Sequence, residues 1–101
     1  MSHWRKQDVE EGDAETQIPF KVYPIPTSDF VTLEVTTPSD MEFYGFLVNN
    51  LGQNVRKIEK ANIPGGVNRV KLDVKDLPQG EYYLNFYVGQ KQFIARILKM
   101  D

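Results

Sequence analysis

Tyr82-Tyr83-Leu84-Asn85-Phe86-Tyr87-Val88-Gly89-Gln90-Lys91-Gln92-Phe93-Ile94-Ala95-Arg96-Ile97-Leu98 is the stretch that decides how this chain folds. Tyr82, Leu84, Phe86 and Val88 make one stripe at period two, and Tyr83, Asn85 and Tyr87 make the opposite face. Such alternation reads as a β-strand. Gly89 sits in a tight turn, and a second run begins at Gln92, so the two runs form a hairpin. The parity of the second run is open, because Phe93, Ala95 and Ile97 compete with Ile94, Leu98 and Met100.

Upstream, the same pattern recurs between regularly spaced turns. Val31, Leu33 and Val35 alternate with Thr32, Glu34 and Thr36, and Val70, Leu72 and Val74 alternate with Arg69, Lys71 and Asp73. Each reads as a strand with one wet face. Met41 to Val48 is apolar at both parities, as a central or doubly covered strand would be. Gln53 to Glu59 is mostly polar, with oddly spaced anchors at Val55 and Ile58, which suggests a bulge or a short edge strand. A short strand at Lys21–Tyr23 completes the set. Turn signals at Pro24–Ser28, Thr37–Asp40, Asn49–Gly52, Ile63–Gly66, Leu77–Gly80 and Val88–Lys91 leave no room for a helix of ordinary length. The expectation is an all-β, immunoglobulin-like β-sandwich of about seven antiparallel strands. Leu77, the turn and Tyr82 fit a tyrosine corner, in which the phenol bonds back to the preceding turn.

The chain has 101 residues, a net charge of −2 and no cysteine, which excludes a disulfide scaffold and thiolate metal sites. Residues 1–16 carry two basic against five acidic side chains and hold one of the twelve aromatics, Trp4. They lack the apolar content to offset ordering, so 1–16 reads as a flexible acidic tail or linker and 17–101 as the folded sandwich. Met1–Asp8 has no apolar run behind Arg5 and Lys6 and is not expected to be a secretory signal peptide. No run is long enough to span a membrane, so no insertion is expected. The near-neutral charge argues against nucleic acid as a partner.

Catalytic chemistry is poorly supplied. His3 is the single histidine and lies in the tail, and Ser2, Ser28 and Ser39 occupy no nucleophile-elbow pattern. Asp29, Asp40, Glu42, Asp73 and Asp76 lie in or beside turns, where such residues usually bond their own backbone rather than collect calcium. No enzyme activity, cofactor or metal is expected. Tyr83 and Tyr87 could form a platform for a sugar or a protein. The competing reading, cross-strand aromatic pairing or a covered face, is favoured.

Three segments resemble the C-terminal sorting domains of the type IX secretion system. Lys21-Val22-Tyr23-Pro24-Ile25-Pro26-Thr27-Ser28 is similar to the family's opening, with Ile25 where Asn is usual between Pro24 and Pro26. Leu51-Gly52-Gln53 resembles its second landmark and Leu77-Pro78-Gln79-Gly80-Glu81-Tyr82-Tyr83-Leu84 its third. The chain closes with Gly89, a short basic strand and Lys99, then Asp101 past the expected basic finish. The resemblance covers about residues 20–101.

It implies a non-catalytic domain recognised by an outer-membrane translocon, commonly cut from its cargo by a surface protease. Secretion or display on the cell surface would follow. The residues expected to carry recognition are Phe93, Arg96, Ile97, Leu98 and Lys99, on a terminal, basic strand near an edge. Deleting Ile97–Asp101 is expected to abolish export and leave the fold intact. Pairing of sheet edges between two copies is a further association route. The alternative is a stand-alone adhesive or carbohydrate-binding sandwich built on Tyr83 and Tyr87.

Overall fold

The computed structural model describes the backbone of residues 10–12 and the whole of residues 18–101. Eight strands are present among them: β1 Glu10–Gly12, β2 Phe20–Tyr23, β3 Phe30–Thr37, β4 Met41–Asn49, β5 Asn54–Ile63, β6 Gly66–Asp73, β7 Gly80–Val88 and β8 Lys91–Lys99. There is no helix among the described residues. The seven strands expected from Lys21 onward correspond to β2–β8. The expected tail, 1–16, lies outside the described residues except at Glu10–Gly12, whose backbone pairs antiparallel with Phe20–Val22.

Two sheets form, in the orders β1-β2-β3-β6 and β5-β4-β7-β8, with antiparallel pairing throughout. Consecutive strands change sheet at β3–β4, β5–β6 and β6–β7, as in Greek-key sandwiches of the immunoglobulin type. The inner faces carry the alternating residues read from the sequence. Val22, Val31, Leu33 and Val35 come from one sheet, and Phe43, Leu47, Leu84, Phe86 and Val88 from the other, all buried.

Tertiary packing settles the parity of β8. Phe93, Ala95 and Ile97 turn inward, and Ile94 is 57% exposed. The reason is a cluster of phenyl rings. Phe86 lies 5.3 Å from Phe93, 5.1 Å from Phe20 across the sandwich, and 6.1 Å from Phe43. Such a cluster adds aromatic contact energy to ordinary burial.

β4 is central, as its composition suggests, but its outer face is only half-buried. β5 runs further than expected, to Ile63, as a largely exposed edge strand. The expected irregularity is real, with register shifts in the β4–β5 ladder between Phe43 and Gly45 and between Leu47 and Val48. Charged Lys57, Glu59 and Lys60 line this edge strand, which discourages further strand addition.

Gly45 has a specific role. A Cβ built there would lie 2.9 Å from the Phe86 Cβ and 3.2 Å from its Cα. The missing side chain lets β7 approach β4 at the position where Phe86 fills the core. Gly45→Ala is expected to destabilise the domain by about 1–3 kcal/mol, the usual penalty for overpacking a core. Urea denaturation checks this, and an unchanged midpoint would contradict it.

Candidate functional site

The three turn segments singled out by sequence meet at one end of the sandwich, around the end of β8. Each is brought there by a different physical device. The first is Thr27, just after Pro24 and Pro26. Its N–H donates to the Leu98 carbonyl at 2.9 Å, and its carbonyl accepts from Met100 N–H at 2.8 Å. This parallel bridge ties residue 27 to the last strand. The Thr27 hydroxyl donates to the Phe30 carbonyl at 2.5 Å, and the residue is buried. The peptide bonds before Pro24 and Pro26 are both cis.

The second is the turn that follows β4. Asn49 Oδ1 accepts the backbone N–H groups of Leu51 at 2.9 Å and Gln53 at 3.0 Å. Its Nδ2 donates to Gln53 Oε1 at 2.9 Å. Gly52 adopts φ +84°, a conformation that favours glycine. Asn49 is paired with Tyr82 in the β4–β7 ladder, so this turn stands beside the third segment. A shallow cleft lined by Asn49, Asn50 and Pro78–Tyr82 runs between them. Leu51, at the tip, is 78% exposed.

The third is the Leu77–Tyr82 corner. The Tyr82 hydroxyl donates to the Pro78 carbonyl at 2.5 Å, which is the tyrosine corner expected from the sequence. Lys99 grips the same turn from the other side. Its side chain is turned inward from β8, is 2% exposed, and donates from Nζ to the Leu77 carbonyl at 3.0 Å. Asp101 Oδ1 lies 3.6 Å from the ammonium and supplies an opposite charge at the rim. Burying an ammonium is tolerable only with such partners. Gly89, by contrast, lies at the far end, in the two-residue β7–β8 turn at φ +62°, where its N–H donates to Glu42 O at 2.8 Å.

The five residues expected to carry recognition divide by strand parity. Phe93, Ile97 and Lys99 point into the sandwich, and Arg96 and Leu98 point outward. Arg96 Nε donates to Glu81 Oε2 at 2.6 Å across the β7–β8 ladder. The same Glu81 carboxylate holds the Tyr83 phenol above its ordinary pKa of 10.0, chiefly because it accepts a hydrogen bond from the protonated phenol; desolvation and the carboxylate's charge act in the same direction, and Arg96 opposes them. The expectation that Ile97–Asp101 can be removed without harm to the fold needs correction. That cut takes Ile97 and Lys99 from the interior and releases the Thr27 bridge.

The outer face of the β5-β4-β7-β8 sheet decides the reading of Tyr83 and Tyr87. Tyr87 stacks on its ladder partner Tyr44 with centroids 4.7 Å apart and an interplanar angle of 12°. Lys60 Nζ lies 5.2 Å from the Tyr44 ring centre. Cross-strand aromatic pairing, favoured from sequence, occurs at Tyr87; Tyr83 instead lies opposite Val48 and Arg96 in its two ladders.

The turn acids also have partners. Asp40 accepts from Gly65 N–H and Asp73 from Lys75 N–H, both at 2.9 Å, and Asp76 pairs with Arg56. No cluster of three or more metal-ligating residues occurs among the described residues.

Thr27 and Leu51 lie inside the family-like segments, but their places at this end, and that of Asn49, are not part of the sequence reading. Asn49 could have been found, since an Asn opening a turn two residues before a Leu-Gly pair is an Asx-turn signal. Thr27 could not, because its bridge to β8 spans most of the chain.

A family model for the secretion system C-terminal sorting domain matches residues 21–100. No curated protein and no solved structure matches the chain.

The corner and the lysine clamp hold one turn between them and should be energetically coupled. Tyr82→Phe is expected to destabilise by about 1 kcal/mol through the lost hydrogen bond, and Lys99→Met by about 1–3 kcal/mol through the orphaned Leu77 carbonyl. The double variant should depart from additivity by about 0.5 kcal/mol or more. Urea unfolding of the four proteins measures this, and strict additivity would show that the two contacts act on separate structures.

Ultraviolet titration tests the Tyr83 environment. Glu81→Ala removes both the hydrogen-bond acceptor and the anion and should bring the Tyr83 phenol back toward its ordinary value. A curve identical to that of the unmodified chain would refute the assignment to Glu81.

Proposed function

The chain belongs to the family of secretion system C-terminal sorting domains, and from that premise we propose that it is read as a folded shape by the outer-membrane translocon of the type IX system. The coarse function is that of a type IX C-terminal sorting signal, and its precursor is one destined for export or the cell surface. The finer reading is recognition through protein–protein contact alone, with no chemical step on the domain itself.

One observation carries this reading: the three family-like landmarks and the chain end converge on one pole, held by Thr27, Lys99 and Tyr82. A linear address would need no such arrangement. A shape read by another protein needs its segments held in fixed relation, because ordering them at the moment of binding would subtract from affinity. In this reading Phe93, Ile97 and Lys99 act by holding β8 in place. Arg96 and Leu98, with the exposed Leu51, offer contact to the translocon. Phe93 and Ile97 do so through the core, and Lys99 through the 77–80 turn.

The acidic composition of residues 1–16, five acids in sixteen, suits a tether cut by a surface protease at a bond outside the Glu10–Gly12 pairing with β2.

The test separates shape from contact. The domain is fused behind an exported reporter in cells with type IX machinery. Leu51→Lys alters the pole at a side chain 78% exposed and should lower surface reporter at least about tenfold, with the urea midpoint nearly unchanged, as expected for a surface substitution. Wild-type export by this variant would count against the pole as the recognised surface.

A further inference from the structure

The two outer faces of the sandwich differ in kind. On the β2-β3-β6 side, the central cross-strand rows read Lys21–Glu34–Arg69 and Tyr23–Thr32–Lys71, with the exposed Phe30 and Val67 apart from each other at opposite ends. A mostly polar outer face with isolated apolar residues is the norm for an antiparallel sheet packed on one side. On the β5-β4-β7-β8 side the corresponding rows hold Tyr44, Phe46, Val48, Tyr83, Tyr87 and Ile94. No described element covers them. Ile94 is exposed and the other five are half-buried. A contiguous apolar sheet face on a small domain marks an interaction surface.

The charges around this face narrow the choice of partner. Lys60 pairs with Glu42 at 3.9 Å, Lys57 with Glu59 at 3.8 Å, and Arg96 with Glu81 at 2.6 Å. The central polar side chains are also matched, Gln92 Nε2 donating to Asn85 Oδ1 at 2.7 Å. The rim thus sums to zero and leaves no unpaired charge to select an oppositely charged partner. Two copies of such a face meet without like-charge repulsion. On the opposite face Lys71 and Lys75 stand over Phe30, and neither makes an ion pair among the described residues.

Area points the same way. Four strands at about 4.8 Å spacing and nine residues at about 3.4 Å rise give roughly 600 Å² per copy. Doubled, that reaches about 1,200 Å², the lower limit for a specific interface.

We propose that the outer face of the β5-β4-β7-β8 sheet is a self-association surface through which two copies of this chain form a weak, two-fold symmetric dimer. The contact is face to face, with Phe46 and Asn85 near its centre. It differs from strand addition at an edge. It does not rest on the translocon reading, and the pole around Thr27 and Leu51 stays outside it.

Sedimentation equilibrium of the full chain, from about 10 µM to about 1 mM, tests the proposal across the range where weak interfaces report. A reversible monomer–dimer equilibrium is expected. Ile94→Lys and Val48→Glu should each weaken it at least about tenfold by placing like charges across the contact. Phe30→Lys, on the opposite face, should leave it unchanged. Amide shifts on dilution, which need no variant to fold, should map to the outer face of β4 and β7. A monomer at every concentration would overturn the proposal. So would a dimer weakened by Ile94→Lys but not by folded Val48→Glu, or shifts confined to the edges of β5, β6 or β8, since these indicate edge pairing.

Discussion

The contact between Phe86 and the bare backbone of Gly45 is the constraint on which the rest depends. Phe86 is fully buried and touches rings from both sheets. It can do so because the strand facing it has no side chain in the way. In a ladder of period two, that single pairing fixes every other one: Tyr44 falls opposite Tyr87, and Asn49 opposite Tyr82. The first pair makes the outer aromatic face. The second brings the turn after β4 against the tyrosine corner. A slip of one residue would turn the phenyl cluster outward and separate both assemblies. Packing energy is therefore what specifies the functional geometry.

How much of this could be read from residues alone follows from the range of the forces involved. Strand alternation, the β7–β8 hairpin and the Tyr82 corner are local, and they stand in the structure as read. The parity of β8 was not local. Both of its faces carry apolar residues, and only the arrival of Phe20 from a strand more than seventy positions away makes Phe93, Ala95 and Ile97 the inner set. Lys99 misleads for the same reason. A lysine near a chain end reads as a solvated charge, but the Leu77 carbonyl gives its ammonium a partner in the interior. Its aliphatic stem is as good a core component as a methionine's. The pairing of Glu10–Gly12 with β2 was equally invisible, since strand addition by so short and polar a segment is backbone chemistry with no side-chain pattern to announce it.

These misreadings bear on what a sorting domain is physically. The residues that make the family resemblance visible are mostly structural. Gly52 supplies a positive φ, Tyr82 and Lys99 pin one turn, and Pro24 and Pro26 lead the chain to the Thr27 bridge. Of the exposed side chains at the same pole, Leu51 belongs to the Leu51-Gly52-Gln53 landmark and Arg96 to none. A receptor that reads backbone shape and a few exposed groups tolerates wide sequence variation among cargo domains, provided the scaffold is kept. That matches a resemblance confined to turns and alternation.

The contrast between the two outer faces carries the argument one step further. A single copy gains the Tyr44–Tyr87 stack from its aromatic rows but leaves Phe46 and Ile94 on the same face without a ring as ladder partner. The aromatic rows lower the hydration of that face, and cross-strand stacking recovers only part of the loss. The remainder is recoverable only by covering it. β8 contributes Arg96 to the rim of both the pole and the face. A second copy on the face would leave Leu51 and the Thr27 bridge outside the contact, so only Arg96 is shared between self-association and recognition at the pole.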